Sequence, residues 1–295
     1  MTMKFLRTTF LAIMASALFA LSPAAAGEKL TLQTFNPGEK SLFPVASTLV
    51  TGPTEALLID AQFQRDDAQA VLQMIRDSGK ALKTIYISHG DPDFYFGLDV
   101  ILAAYPEARV VASPTTVEHI EKTVERKLSY WGPILGDNAP TRTIVPEVIT
   151  TDRFTVDGEE LRIVGLDGHD PRHSFVWVPS AGTVVGGVLL YEGVHVWMAD
   201  AQTQEARNNW RQSLDAILAL SPERIIPGHV IGSSSETAEI VAFTRDYIGN
   251  FEKAAASAQT SEELVSTMTG LYPDFTNLED LKLSAKVATG EMSWP

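Results

Sequence analysis

The chain of 295 residues contains six histidines and no cysteine, so any strongly bound metal must be held by imidazole nitrogen and carboxylate oxygen. The absence of thiols also excludes cysteine nucleophiles, iron–sulfur clusters and disulfides. One stretch, Ser88-His89-Gly90-Asp91-Pro92-Asp93-Phe94, carries three potential ligands, each two residues from the next. His89, Asp91 and Asp93 can converge if the loop curls round an ion, and Gly90 and Pro92 suit a tight curl. The same two aspartates have a plainer use, because either can cap the helix that follows by accepting its free N–H groups. Two further histidines stand where apolar runs end, in Gly168-His169-Asp170-Pro171 and in Pro227-Gly228-His229. Three such positions in order point to a shared site. Gly232-Ser-Ser-Ser-Glu236 is no nucleophile elbow, and the chain has no glycine-rich phosphate loop or dinucleotide fingerprint.

These loops need a scaffold of short strands and amphipathic helices. Ala56-Leu-Leu-Ile-Asp60 and Thr84-Ile-Tyr-Ile-Ser88 read as buried strands, and Ala108 to Ala112 as a third. Ala68, Val71, Leu72 and Ile75 share one helical face that stops near Gly79; Leu98, Ile101, Leu102 and Tyr105 mark a second helix. Ser113-Pro114 starts a third, with Val117, Ile120, Val124 and Leu128 inward and His119 on its polar, solvated side. The second half has strands at 154–156, 161–166, 175–178 and 183–185, broken by Asp-Gly, Pro-Ser and Ala-Gly turns. A helix carrying Trp210, Leu214, Ile217 and Leu218 precedes the strand Arg224-Ile-Ile226, and the last sixty or so residues are mainly helical, with Ile240, Phe243, Tyr247 and Phe251 as a stripe. Two sheets with helices outside each would bury all these faces. In such sheets ligands bind at the carboxyl ends of strands, where His89 falls.

The strand ending in Asp60, the His89 loop, Gly168-His169, Val184-Val-Gly-Gly-Val188 and Pro227-Gly228-His229 resemble the five ordered signatures of metallo-β-lactamase-fold hydrolases. The resemblance covers nearly all of residues 30–230. It implies an αββα sandwich in one domain spanning 27–295, with a helical C-terminal extension over about 233–295. The family's loop reads His-x-His-x-Asp-His, so His89 matches the first ligand, Asp91 replaces the second, Asp93 matches the aspartate and Phe94 replaces the last histidine. His169 matches the third ligand of the first metal and His229 the distal ligand of the second. Val188 falls where the family has the aspartate that bridges two ions. The resemblance therefore implies one divalent transition metal, zinc above iron or manganese, held by His89, Asp91 and His169, while the second site keeps only Asp93 and His229 as metal ligands. Asp93 would orient or deprotonate an attacking water, and His229, if no longer a ligand, would meet the substrate's developing anion. His173 is a candidate neighbour of the ligands. His195 and Trp197 are candidate substrate-binding residues at the mouth.

The first 26 residues have a different character: Lys4 and Arg7, an apolar run from Phe10 to Leu21, then Ser-Pro-Ala-Ala-Ala26. This is the pattern of a cleaved secretory signal, and the run of about a dozen apolar residues falls short of the roughly 20 that span a bilayer. A periplasmic or secreted protein is expected, without membrane insertion once the signal is removed. Losing the two positive charges of Lys4 and Arg7 takes the net charge from −14 to −16, which disfavours nucleic acid and anionic membrane surfaces. The expected partner is a small-molecule ester, lactone, amide or related substrate, and the C-terminal helices are expected to shape the pocket or a homodimer contact. Phe94 and Val188 keep open a binding protein that has lost its metal, and the two-histidine, one-carboxylate set allows an iron-dependent oxidoreductase of the same fold.

Overall fold

Alternation of side chains along each strand decides how the layers stack. The computed structural model describes residues 29–168 and 170–294, so the signal segment 1–26 and His169 lie outside the described residues. The first sheet has six strands in the order β1 (Thr31–Phe35), β2 (Ser47–Thr51), β3 (Glu55–Ile59), β4 (Ala81–Ile87), β5 (Arg109–Ala112) and β6 (Glu147–Val148), with β1 to β3 antiparallel and β3 to β6 parallel. Leu57 and Ile59 of β3 point to one side with Val50, Tyr86 and Val111, whereas Ala56 and Leu58 point to the other with Leu49, Ile85 and Ala112. Both faces are therefore apolar, as a sheet covered on both sides requires.

The second sheet contains β7 (Arg153–Val156), β8 (Glu159–Val164), β9 (Phe175–Val178), β10 (Thr183–Val185) and β12 (Arg224–Ile226), in the order β12-β10-β9-β8-β7, and β11 (Tyr191–Glu192) pairs separately with β13 (His229–Val230). Val156, Leu161, Ile163, Val176, Val178 and Ile226 meet the inner face of the first sheet. Outside the first sheet lie α1 (Arg65–Ser78), the single turn α2 (Pro92–Tyr95), α3 (Leu98–Ala104) and α4 (Pro114–Leu135). Outside the second lie α5 (Gln204–Ala219), α6 (Glu239–Ser257), α7 (Ser261–Leu271) and α8 (Leu278–Ala288). The αββα sandwich expected from the sequence is thus present, with α1 stopping at Gly79 and Ser113 capping α4. The C-terminal helices are part of the second core: Leu264, Met268, Leu281 and Ala285 share one buried cluster with Val184 and Ile225 of the sheet. Among the described residues no helix is long and apolar enough to cross a membrane.

The two sheets are also tied by a carboxylate. Asp157, in the turn between β7 and β8, accepts hydrogen bonds from the N–H groups of Thr54 and Glu55 at 2.8 Å each, and from the Thr54 hydroxyl. A Cβ at Gly52 would run into the Asp157 carboxylate, so a larger residue there would push the tie aside. This tie sits where β3 begins, at the end of the sandwich opposite the loop that follows β4.

Candidate metal centre

The loop after β4 is fixed at its start by Asp60, which follows β3. Its carboxylate accepts from Ser88 N–H at 2.8 Å and Ser88 Oγ at 2.7 Å, from a backbone held at φ +63°. Burial pushes the Asp60 carboxyl up to about 7. From Ser88 the chain turns through His89 and Gly90 to Asp91, the residue preceding α2. Asp91 has the extended backbone of a helix cap, yet its side chain caps nothing. Oδ1 accepts from the Lys127 ammonium at 2.9 Å, and Oδ2 lies 3.2 Å from His89 Nε2. Burial works against this carboxylate, but Lys127 and His89 hold it well below the usual carboxylate range.

Lys127 reaches in from α4, where His119 lies two turns earlier. The ammonium also donates to Gly90 O at 2.9 Å and stands 2.9 Å from His119 Nε2. His119, expected to be solvated, is folded over the loop instead, because Gly90 leaves room for its ring: a Cβ on Gly90 would lie 2.6 Å from His119 Cδ2.

A second histidine–carboxylate pair lies deeper. Asp93 Oδ2 is 3.1 Å from His229 Nε2, and both side chains are buried. His229 stacks on Tyr191 with ring centroids 4.6 Å apart at 4°, and its Nδ1 is buried with no partner among the described residues. Phe94 stands between the pairs, fully buried, with its ring edge-on to both His89 and His229 at centroid distances of 5.5 Å. The residue that replaces a family ligand thus fills the space between the two donor pairs with carbon.

His89 faces a cavity of about 50 Å³ that is also lined by Asp91, His119, His173 and Asp200. His173 stacks on His89 at 5.2 Å, and its Nδ1 is 2.6 Å from Asp170 Oδ2. Burial opposes ionisation of Asp170, but the bond and charge of His173, with Arg172 nearby, bring it down to about 2. The cavity shares Thr115 and Arg172 with a more open groove of about 420 Å³, lined further by Asp170, Thr203, Glu205 and Asn209. Asp200 is raised by burial and by the negative charge of Asp91.

The structure therefore brings together His89, Asp91, Asp93 and His229 of the residues singled out in the sequence. His169 lies outside the described residues. His195 is not at the mouth: it is fully buried beside Tyr247, Tyr272 and Phe275, with Nδ1 2.9 Å from the Tyr247 hydroxyl, because the C-terminal helices close over the segment that carries it. Trp197 does not line the cavity; its Nε1 donates to Asp200 Oδ2 at 2.6 Å. Lys127, Arg172 and Asp200, which also meet at this cavity and its loop, lie outside the motifs singled out in the sequence.

Two ligands at about 2.0 Å from one tetrahedral ion stand roughly 3.3 Å apart. The observed separations of 3.2 Å and 3.1 Å in the two pairs match that spacing. His89 Nδ1 also faces the Arg172 carbonyl at 3.4 Å, the outward contact usual for a ligating imidazole. The pair His89 and Asp91 fits one ion in chemistry and spacing. Among the described residues no third His, Asp or Glu completes a group of three around it.

Residues 41–229 match the metallo-beta-lactamase superfamily, and the chain belongs to that family. Solved structures share its fold at low identity. A metallo-beta-lactamase from Pontibacter korlensis is 17% identical with a TM-score of 0.56, covering 75% of this chain and 95% of that one. Metallo-beta-lactamase IND-7 gives 19% and 0.54, covering 75% and 94%. The DIM-1 metallo-beta-lactamase gives 18% and 0.51, again covering 75% and 94%. Membership supports a metal-dependent hydrolytic function in general, and the fold generally binds divalent metals.

Proposed function

We propose that this chain is a single-ion hydrolase of small esters, lactones, amides or related substrates, working in the periplasm or outside the cell. The observation that carries the reading is the arrangement of two histidine–carboxylate pairs with Phe94 between them, one pair suited to hold an ion and the other to move a proton. His89, Asp91 and His169 would hold the ion, zinc before iron or manganese. When bound, it supplies Lewis acidity to the substrate oxygen and acidifies water. Asp93 keeps one oxygen on His229 and takes up the water's proton at the other. Lys127 keeps Asp91 ionised and oriented. The groove beyond Arg172 and Thr115 receives the body of the substrate.

Asp93→Asn tests the assignment. Zinc content, measured by elemental analysis, should be retained, and turnover of a hydrolysable substrate found by panel screening should fall by about 10²-fold or more. Unchanged turnover would remove Asp93 from the chemistry. His169→Ala should lose metal and turnover together.

A second reading, a metal-free binding protein, draws on the Lys127 ammonium, which already places a positive charge 2.9 Å from Asp91. Protein purified without chelator that takes up no zinc, iron or manganese at neutral pH would favour it.

A further inference from the structure

We propose that the C-terminal tail builds part of the metal centre: Trp294 and Trp197 hold the Asp200 carboxylate at the His89–Asp91 cavity, where it supplies negative charge that Val188 cannot. The inference rests on the single-ion reading above and goes beyond its ligand set.

Asp200 sits outside every signature that carries the family resemblance. It nevertheless lines the cavity with His89 and Asp91, opposite the loop that bears them. Its two oxygens are taken by two neutral donors, Trp294 Nε1 on Oδ1 at 2.7 Å and Trp197 Nε1 on Oδ2 at 2.6 Å. The indole rings meet edge to face at 5.4 Å and 71°, which fixes both N–H groups in direction. A carboxylate kept only for structure is usually paired with Arg or Lys when it is withdrawn from water. Here no lysine or arginine forms an ion pair with Asp200 among the described residues, so its hydrogen bonds are met by neutral donors and its charge acts on the cavity and His89. Two carboxylates, Asp91 and Asp200, then face one small space with a single ammonium, that of Lys127 on Asp91, an arrangement that a divalent cation relieves. Val188, by contrast, is buried in the same apolar cluster as Phe94.

The segment that carries Asp200 is set by the extension. Asn277 brackets His195, accepting from its N–H at 2.7 Å and donating to its carbonyl at 2.9 Å. Ser284 of α8 accepts from Met198 N–H at 3.0 Å, and Gln202 Nε2 donates to Trp294 O at 3.2 Å. Docking of α8 and the tail thus determines where the Asp200 oxygens point, and Trp294 is a positioning residue that acts through them.

The test is zinc affinity of the full mature chain, by competition with a chromophoric chelator, with thermal unfolding as the check on folding. Asp200→Asn should weaken zinc binding by about 10-fold or more, the usual scale for a group just outside the ligands. Trp294→Phe, which keeps the ring and removes the donor, should weaken it by a smaller factor. The double variant should bind no more weakly than Asp200→Asn alone, because both changes act through one carboxylate. A folded Asp200→Asn protein within about twofold of wild type overturns the proposal, and so do fully additive losses, since the tail would then act by packing alone. If Asp200→Asn does not fold, Trp294→Phe decides, and unchanged affinity in that variant overturns the proposal. Wild-type protein that binds neither zinc nor manganese overturns this inference and the single-ion reading together, whereas tight wild-type binding with an indifferent Asp200 overturns this inference alone.

Discussion

Lys127 is what prevents Asp91 from serving as a helix cap. The ammonium is mostly buried and divides its donors between Asp91 and the Gly90 carbonyl, so Asp91 turns one oxygen inward and offers the other to the space before His89. Lys127→Met keeps most of the aliphatic stem but takes the ammonium from both Asp91 Oδ1 and the Gly90 carbonyl, leaving Asp91 Oδ1 only the more distant His119 Nε2 at 3.8 Å. It should cost about 1–3 kcal/mol in urea denaturation, the usual cost of stranding a buried acceptor. A change below about 0.5 kcal/mol would mean that water replaces the ammonium without loss. At this scale the sequence was only partly legible. His89, Asp93 and His229 announce themselves by following apolar runs, but Lys127 lies on a helix where a lysine ordinarily means a solvated face. Its one signal is a shared polar stripe with His119 and Thr123 beside the inward stripe of Val117, Ile120 and Val124. Asp200 gave no signal, since one of its two donors is 94 residues away.

The element that matters most for the site is the turn from β4 into α2, and its shape depends on a residue with no side chain. Gly90 lets the His119 ring lie against the loop, 2.6 Å from where a Cβ would be. Gly90→Ala should therefore displace His119 and with it the Lys127 contact, lowering both the unfolding temperature and zinc affinity. Adding His119→Ala should recover part of both losses, because the clash has lost its second partner. Strictly additive effects in the double variant would show that the strain lies in the backbone. Elements of this kind were legible because their patterns are local: the Ser113 cap with Pro114 and the 3.6-residue spacing of α1 and α4 need no tertiary knowledge. His195 was misplaced for the opposite reason. A histidine beside a tryptophan in a short apolar run looks the same whether it faces a cavity or lies under three helices.

Across the whole molecule, His195 connects the extension to the body. Burial lowers it to about 4, so the folded protein keeps it neutral where the unfolded chain, at an ordinary value near 6.5, would take a proton. Between those values the unfolded state binds more protons, so this residue's contribution to stability is complete above about pH 6.5 and is lost as the pH falls towards 4. His195→Asn should flatten that part of the dependence when unfolding temperatures are compared at about pH 7 and about pH 4.5. Equal slopes in the two proteins would show that His195 is not the group responsible. The tie made by Asp157 has a consequence of another kind. It fastens the sheets at the end where β3 begins, while the site lies at the end where β3 and β4 finish. The site end carries ties of its own, since Asp93 with His229, Thr115 Oγ1 on the Pro171 carbonyl and the Tyr86 hydroxyl with Ser174 Oγ all cross between the layers. The two sheets carry opposite halves of the site, with Asp60 and the His89 loop on one side and His173, Asp200 and His229 on the other. The layers are therefore pinned at both ends, and the spacing between the two halves of the site is set by these distant turns as well as by the loops that line the cavity.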